Sequence, residues 1–240
     1  IPSERDYTLI GTTETDISRA EAENPKITAA EISYLIRSAN DYLREDRAVQ
    51  QSDIVWTYSG VRPLIDDEAT EAKAASRDYK LVSTTDPVPL ITVYGGKITT
   101  NRRLAEAAVN RLAPLLKHAK SDPWTVGSDL PGGDFSYAER GERLQALKAD
   151  YPGLPHDLLE RLFTAYGTIV RTILGGAEQP DDLGRYFGAG LYEREVNYLI
   201  DREWAKESDD ILYRRSKLGL HMSEAEKSAL EAFMKEVTEQ

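Results

Sequence analysis

The pattern of apolar and polar positions along the chain changes near residue 120. Before it, short runs of β-branched and aromatic residues alternate with turn residues, which is typical of strands. After it, apolar residues recur at helical spacing between capping residues, which predicts successive amphipathic helices. The pattern therefore predicts an α+β chain, with a partial β-sheet region and two helices over residues 1–120 and an all-α domain over residues 121–240.

The first region contains four predicted strands and two predicted helices. A capping box of Thr28 and Glu31 starts the first helix, which we expect to pack on the sheet. Thr99 is the predicted N-cap of the second helix, which runs to Pro114. The last two strands are expected to pair antiparallel. The predicted strands are Tyr7–Ile10, Ile54–Tyr58, Arg77–Val82 and Leu90–Tyr94.

A Gly95-Gly96-Lys97 turn joins the last strand to the second helix. A strand, a glycine turn and a helix start aim backbone N–H groups and the positive end of the helix dipole at one point, where an anion or an electron-rich ring can be held. The phosphate-binding loop of nucleotide hydrolases does not fit, because Ile98 follows Lys97 where Ser or Thr is required and Ile91 occupies the position of the first glycine.

Arg62 follows the predicted strand Ile54–Tyr58, between Gly60 and Pro63. An arginine held by rigid backbone presents a planar fork that suits a carboxylate or a phosphate. The alternative is a structural ion pair with Asp66 or Asp67, and the segment alone leaves both interpretations open.

The second region is predicted to be helical throughout, beyond a hinge of glycines and prolines between Pro123 and Gly133. The acidic pairs Glu193/Glu195 and Asp209/Asp210 are interpreted as helix-start residues with nearby cations rather than metal ligands. Trp204 is interpreted as core or interface packing. The predicted helices are Tyr137–Tyr151, Pro155–Gly167, Leu191–Trp204, Ser208–Gly219 and a last helix capped by Ser223 and Glu226.

Composition limits the classes of function. The formal net charge of −11 argues against nucleic-acid binding, so any anion site must be local. The absence of cysteine excludes disulfides and thiol catalysis. No metal site is predicted, because the three histidines are scattered without a second ligand at metal spacing.

The chain resembles the C-terminal half of the FAD-dependent, quinone-reducing glycerol-3-phosphate dehydrogenases, within the flavin amine and hydroxy-acid oxidase superfamily. The resemblance covers essentially the whole chain. It is carried by IGTTETD, DIVWTYSGVRPL, SRDYKL, YGGKITTNRRLAE, LPGG and LYEREVNYLIDREWAKESDDILYRRSKLG.

The resemblance implies oxidation of sn-glycerol 3-phosphate to dihydroxyacetone phosphate, with electrons passing through FAD to membrane quinone. It implies that Arg62 and Arg77 line the substrate pocket as anion-binding cations. Lys97 is implied to bind substrate and act in catalysis near its hydroxyl, while the base that takes the hydroxyl proton stays open. The cofactor-facing backbone implied by the resemblance is Gly95, Gly96, Lys97, Ile98, Thr99 and Thr100.

The family's G-x-G-x-x-G fingerprint for FAD has no match in this sequence. We therefore expect a fragment that largely lacks the Rossmann-type FAD domain, does not retain FAD tightly and is inactive alone. The implied partners are the missing N-terminal FAD domain, glycerol 3-phosphate and quinone. The implied location is cytoplasmic, with the full enzyme peripheral on the inner face of the cytoplasmic membrane, and a homodimer is left open. A different class of function, a non-catalytic helical binding or assembly module, is the alternative.

Overall fold

The computed structural model describes residues 1–4, 6–63, 65, 78–116 and 123–238. The chain divides into two units, Ile1–Ser128 and Asp129–Gln240. The predicted boundary between residues 120 and 121 lies outside the described residues and stays a prediction.

In its described residues, the first unit contains two small antiparallel sheets and three α-helices. Strands β1 (Pro2–Ser3) and β2 (Tyr7–Thr8) pair with each other. Helices α1 (Arg19–Ala22) and α2 (Ala29–Asn40) follow. Strands β3 (Tyr79–Thr84) and β4 (Leu90–Gly95) form an antiparallel hairpin with Leu81 opposite Val93, and α3 (Asn101–Leu115) comes next.

Local sequence signals set several of these bounds. The predicted capping box is confirmed, since the Thr28 hydroxyl accepts a hydrogen bond from Glu31 N and the Glu31 carboxylate accepts one from Thr28 N. The predicted hairpin of neighbouring antiparallel strands is also confirmed. Arg111 of α3 donates a 2.8 Å hydrogen bond to the Leu81 carbonyl, so side chains as well as the chain path link this helix to the hairpin.

Burial in the first unit is sparse. Ala113 is its one buried apolar side chain among the described residues. Helix α2 has no buried residue, and its apolar face at Ile32, Leu35 and Ile36 is half-buried, so the prediction that it packs on a sheet is not met in the described part of the unit.

The second unit is helical and carries the core. Its helices are α4 (Arg140–Asp150), α5 (His156–Tyr166), α6 (Val170–Leu174), α7 (Glu193–Glu203) and α8 (Glu224–Thr238). A hairpin of β5 (Tyr186–Gly188) and β6 (Leu191–Tyr192) was not predicted. The predicted fold class, α+β with a helical C-terminal domain, is confirmed.

Two buried apolar clusters organise this unit. One is built from α4, α5 and α6 around Leu147, Leu159 and Leu174. The other is built from α7, α8 and the segment between them, around Leu199 and Leu230. Tyr166 packs against both clusters and therefore marks where they meet.

Candidate functional site

The turn after β4 requires both of its glycines. Gly95 and Gly96 have φ angles of +66° and +92°, which side chains other than glycine rarely adopt. A Cβ on Gly95 would lie 2.9 Å from Ile65 Cγ1 and 3.0 Å from the Asp78 carbonyl oxygen, and one on Gly96 would lie 3.2 Å from Tyr79 Cβ. The backbone here is thus packed on one side against β3 and Ile65.

A single 3-10 turn, Ile98–Thr100, connects the glycines to α3. The Thr100 hydroxyl donates to the Lys97 carbonyl at 2.8 Å and accepts from Lys97 N at 3.3 Å, and Thr100 N also donates to that carbonyl. Thr99 lies inside this turn, so its predicted role as N-cap is wrong. The turn replaces a side-chain cap in starting the helix.

The N–H groups of Ile98 and Thr99 have no hydrogen-bond partner among the described residues. They stand at the positive end of α3 next to the exposed Lys97 side chain. Six predicted site residues are thus brought together in one continuous turn: Gly95, Gly96, Lys97, Ile98, Thr99 and Thr100. This arrangement offers backbone donors and one cation to an anionic or electron-rich ligand.

Arg62 lies in a separate, irregular stretch. Residues 54–63 form no strand in the described structure, so the predicted strand Ile54–Tyr58 is wrong. The apolar side chains of this segment are largely exposed, with Val55 at 61% and Tyr58 at 60%. The Trp56 and Tyr58 rings stack with their centroids 5.1 Å apart. A strand needs a hydrogen-bonding neighbour, and the described residues supply none to this segment.

The guanidinium of Arg62 is bound by Glu14, with Nη1 and Oε1 2.8 Å apart. The alternative partners suggested by the sequence, Asp66 and Asp67, lie outside the described residues, as does Arg77. Convergence of Arg62, Arg77 and Lys97 on one pocket therefore stays a prediction. Ile65 nevertheless contacts Gly95, so the chain just after Arg62 reaches the glycine turn.

Sequence reasoning missed a buried charged network in the second unit. Glu195 on α7 is 2% exposed and accepts two hydrogen bonds from Arg161 on α5, at 2.9 and 2.6 Å, and one from the Tyr166 hydroxyl at 2.8 Å. Burial and the neighbouring Glu195 carboxylate both raise the pKa of Tyr166, so its hydroxyl stays protonated as a donor. The partner of Glu195 lies 34 residues away, so no local charge pattern could have identified it.

Asp210 forms a second centre of charge, at the start of a π-helix, Asp210–Arg215. Burial alone would raise its pKa. Hydrogen bonds from Lys206 N, Arg214 and Glu207 N, with the charge of Arg215, outweigh burial and lower the pKa to about 2. The prediction that Ser208 caps a helix here is wrong, because the Asp210 carboxylate accepts these backbone hydrogen bonds. The interpretation of this acidic residue as paired with nearby cations is supported by its contacts with Arg214 and Arg215.

Trp204 does not pack in a core. Its side chain is 81% exposed and its backbone is left-handed, with φ +56°, at the end of α7. Among the described residues no helix is long and apolar enough to cross a membrane. The same part of the chain contains no group of three or more acidic, histidine or cysteine side chains placed to hold a metal ion.

Comparison with known proteins shows what the chain is similar to. Residues 124–240 match the C-terminal domain of alpha-glycerophosphate oxidase. The chain is 37% identical over 242 residues to the aerobic glycerol-3-phosphate dehydrogenase of Escherichia coli, covering 100% of this chain and 47% of that protein. It is 38% identical over 235 residues to a glycerol-3-phosphate dehydrogenase of Pseudomonas aeruginosa, covering 95% of this chain and 44% of the relative.

A third relative carries a different name. The chain is 41% identical over 230 residues to a D-erythritol 1-phosphate dehydrogenase of Brucella abortus, covering 95% of this chain and 45% of that protein. The chain thus spans about half the length of the curated relatives that it matches. Its second region matches the C-terminal domain of alpha-glycerophosphate oxidase, and the resemblance of the whole chain to the C-terminal part of glycerol-3-phosphate dehydrogenases is confirmed.

Proposed function

We propose that this chain is the C-terminal portion of a flavin-dependent glycerol-3-phosphate dehydrogenase. The complete enzyme would oxidise sn-glycerol 3-phosphate to dihydroxyacetone phosphate and pass the electrons through FAD to a quinone. The observation that carries the proposal is the turn from Gly95 to Thr100, where glycine backbone, a lysine and two N–H groups without a partner among the described residues meet at the start of α3. Similarity over 95–100% of this chain to proteins named glycerol-3-phosphate dehydrogenase supports it.

The residues of the turn fit a flat, electron-rich cofactor edge. Gly95 and Gly96 supply the left-handed backbone of the turn and its close packing on β3 and Ile65, and the N–H groups of Ile98 and Thr99 lie in the single 3-10 turn before α3. When bound, FAD supplies a two-electron acceptor for the hydride removed from C2 of the substrate. Backbone donors at a helix start stabilise negative charge that develops at the cofactor edge.

The cations of the first unit suit the substrate. Arg62 is half-exposed, and Glu14 occupies one of its nitrogens, so other N–H donors of the fork can bind a phosphate. Lys97 is exposed beside the cofactor-facing turn and would orient the C2 hydroxyl. Arg77 is proposed as a second anion-binding residue. Oxidation at C2 also requires a base for the hydroxyl proton, and the base is not assigned to a residue of this chain.

The relatives raise a choice of substrate. Glycerol 3-phosphate and D-erythritol 1-phosphate are both polyol phosphates, and an arginine fork with a lysine would serve the phosphate and a hydroxyl of either one. We propose glycerol 3-phosphate as the preferred substrate, because two of the three relatives described above carry that name. The longer polyol is the second candidate, favoured by the 41% identical relative.

Further partners belong to the same proposal. FAD would be retained by the complete protein, in which an N-terminal dinucleotide-binding domain completes the site, and not tightly by this chain alone. Quinone would accept electrons while the enzyme associates peripherally with the inner face of the cytoplasmic membrane, and a homodimer is one form that this assembly could take.

The test is a fusion that places the N-terminal half of the Escherichia coli relative before this chain. We expect bound flavin and reduction of a soluble quinone analogue that depends on sn-glycerol 3-phosphate, with slower turnover of D-erythritol 1-phosphate. The matched control replaces this chain by residues 129–240 alone, which lack the turn at Gly95. A fusion that holds stoichiometric flavin but oxidises neither polyol phosphate would contradict the proposal, and faster turnover of the erythritol compound would reverse the choice of substrate.

A further inference from the structure

One carboxylate of the first unit contacts the proposed substrate-binding arginine. Glu14 Oε1 lies 2.8 Å from Arg62 Nη1, across 48 positions of sequence. The Glu14 side chain is 20% exposed, whereas that of Arg62 is 49% exposed. Among the residues that the structure describes, Arg62 makes no other hydrogen bond.

The two residues that flank Glu14 in sequence contact Glu31 of α2. The Thr13 hydroxyl donates to Glu31 Oε1 at 2.8 Å, and the Thr15 hydroxyl lies 3.5 Å from the same oxygen. The other oxygen of Glu31 accepts from Thr28 N at 2.8 Å in the capping box of α2. Hydrogen bonds from Thr28 N and the Thr13 hydroxyl lower the pKa of Glu31, so this anchor stays ionised. The loop that carries Glu14 is thus tied to the start of α2 on one side, and Glu14 itself contacts Arg62.

We propose that Glu14 is a positioning residue, which fixes the orientation of the Arg62 guanidinium for the phosphate of the substrate. The proposal rests on the function proposed above and adds a residue to it. An arginine held before the ligand arrives loses its rotamer freedom on folding rather than on binding, which strengthens binding of the anion. Monodentate contact through Nη1 orients the fork and leaves the other donors for the substrate.

An opposite effect competes with positioning. A carboxylate beside the arginine also repels a phosphate, so Glu14 could act instead as an internal competitor for the guanidinium. The two roles predict different results for two substitutions. Glu14→Gln keeps an oxygen acceptor and removes the charge, whereas Glu14→Ala removes both. Positioning predicts that only the alanine variant weakens binding, and competition predicts that both variants tighten it.

The first measurement needs no ligand and uses the chain itself. Relaxation of the Arg62 Nε–Hε group by nuclear magnetic resonance reports how rigid the guanidinium is on the picosecond-to-nanosecond timescale. We expect its order parameter to fall in Glu14→Ala and, less strongly, in Thr13→Val. Thr15→Val is the matched control, because its hydroxyl is at the limit of hydrogen bonding, and it should leave Arg62 unchanged. An Arg62 side chain equally mobile in wild type and Glu14→Ala would overturn the proposal.

The second measurement determines the affinity of each Glu14 and Arg62 variant of the chain for sn-glycerol 3-phosphate and, separately, for inorganic phosphate. We expect Glu14→Gln to bind glycerol 3-phosphate within about twofold of wild type and Glu14→Ala to bind it about two- to tenfold more weakly. In an Arg62→Ala background the Glu14→Ala effect should vanish, since Glu14 acts through that side chain. Equal or tighter binding by Glu14→Ala would overturn the proposal. If Arg62→Ala binds glycerol 3-phosphate as tightly as wild type does, the proposed role of Arg62 in phosphate binding is wrong. The ligand-free measurement then still decides whether Glu14 positions Arg62.

Discussion

The buried pair of Arg161 and Glu195 allows a quantitative prediction for the second unit. Glu195 is 2% exposed and the Arg161 side chain 13% exposed, and their nearest atoms are 2.6 Å apart. Glu195→Gln keeps the shape of the side chain but leaves the guanidinium without its counter-charge. Breaking a buried ion pair by removing one partner costs about 3–5 kcal/mol. We expect the free energy of unfolding of the second unit to fall by about that amount, a large fraction of the roughly 5–15 kcal/mol typical of a domain.

The chain contains a matched control for burial. Asp150 and Arg171 are also 2.6 Å apart, but their side chains are 53% and 48% exposed. Asp150→Asn should therefore cost about 0–1 kcal/mol, because solvent screens an exposed pair. Both variants are compared by urea unfolding followed through the helical circular dichroism signal.

The result that would refute this reasoning is equal loss of stability in Glu195→Gln and Asp150→Asn. That outcome would mean that water or relaxation compensates the charge of Arg161. A third variant, Tyr166→Phe, removes one donor to Glu195 while leaving the ion pair in place. Its loss of unfolding free energy should be about 1–3 kcal/mol, between the losses of the other two variants.

Three further predictions concern pH and glycine. Because the pKa of Asp210 is lowered to about 2 in the folded protein from 3.8, its contribution to stability is present above pH 3.8 and is lost as pH falls towards 2. The difference in unfolding temperature between wild type and Asp210→Asn should therefore shrink over that interval, and a constant difference would contradict this assignment. A Cβ on Gly167 would lie 1.9 Å from a backbone oxygen, so Gly167→Ala should destabilise the second unit by more than about 2 kcal/mol in the same urea assay. Gly141 lies in α4, and a Cβ there would meet nothing within 4 Å, so Gly141→Ala should stabilise the unit by about 0.4–1 kcal/mol. Gly96→Ala, with φ +92°, should strain the turn by about 1–2 kcal/mol and lower the flavin content of the fused enzyme, measured by absorbance, without changing unfolding of the second unit.

Local signals in the sequence predicted local structure well. The capping boxes of Thr28 with Glu31 and of Ser223 with Glu226 are both present, because each needs only residues three positions apart. Helix α5 begins after Pro155, close to the predicted start, and buries Leu158, Leu159, Leu162 and Phe163. Periodicity and caps determine such elements without long-range contacts.

Features that depend on distant partners were missed or wrong. The segment Ile54–Tyr58 consists largely of residues that favour strands, but a strand forms only where a neighbouring strand is available to pair with it. Trp204 was predicted to end a helix as a packed residue, yet it follows the end of α7 with a left-handed backbone, and its side chain is exposed. The hairpin of β5 and β6 could have been found from Gly188, Ala189 and Gly190, which lie between apolar residues.

The candidate site likewise has a part that the sequence predicted and a part that it did not. The turn from Gly95 to Thr100 was predictable because one continuous segment forms it. The pairing of Arg62 with Glu14 was not, since 48 positions separate the two residues. The role of Arg77 lies outside the described residues and stays a prediction.

Substitution of Arg62 by lysine in the fused enzyme tests the central claim most directly. Lysine keeps the positive charge but cannot present two parallel N–H donors to a phosphate. Turnover of sn-glycerol 3-phosphate should fall at least about tenfold in kcat/KM, corresponding to the loss of about 1.4 kcal/mol of transition-state binding. Arg103→Lys on the surface of α3 should leave turnover unchanged. If the Arg62→Lys enzyme keeps its flavin and turns over as fast as the unsubstituted fusion, Arg62 does not bind the substrate and the proposed site is wrong.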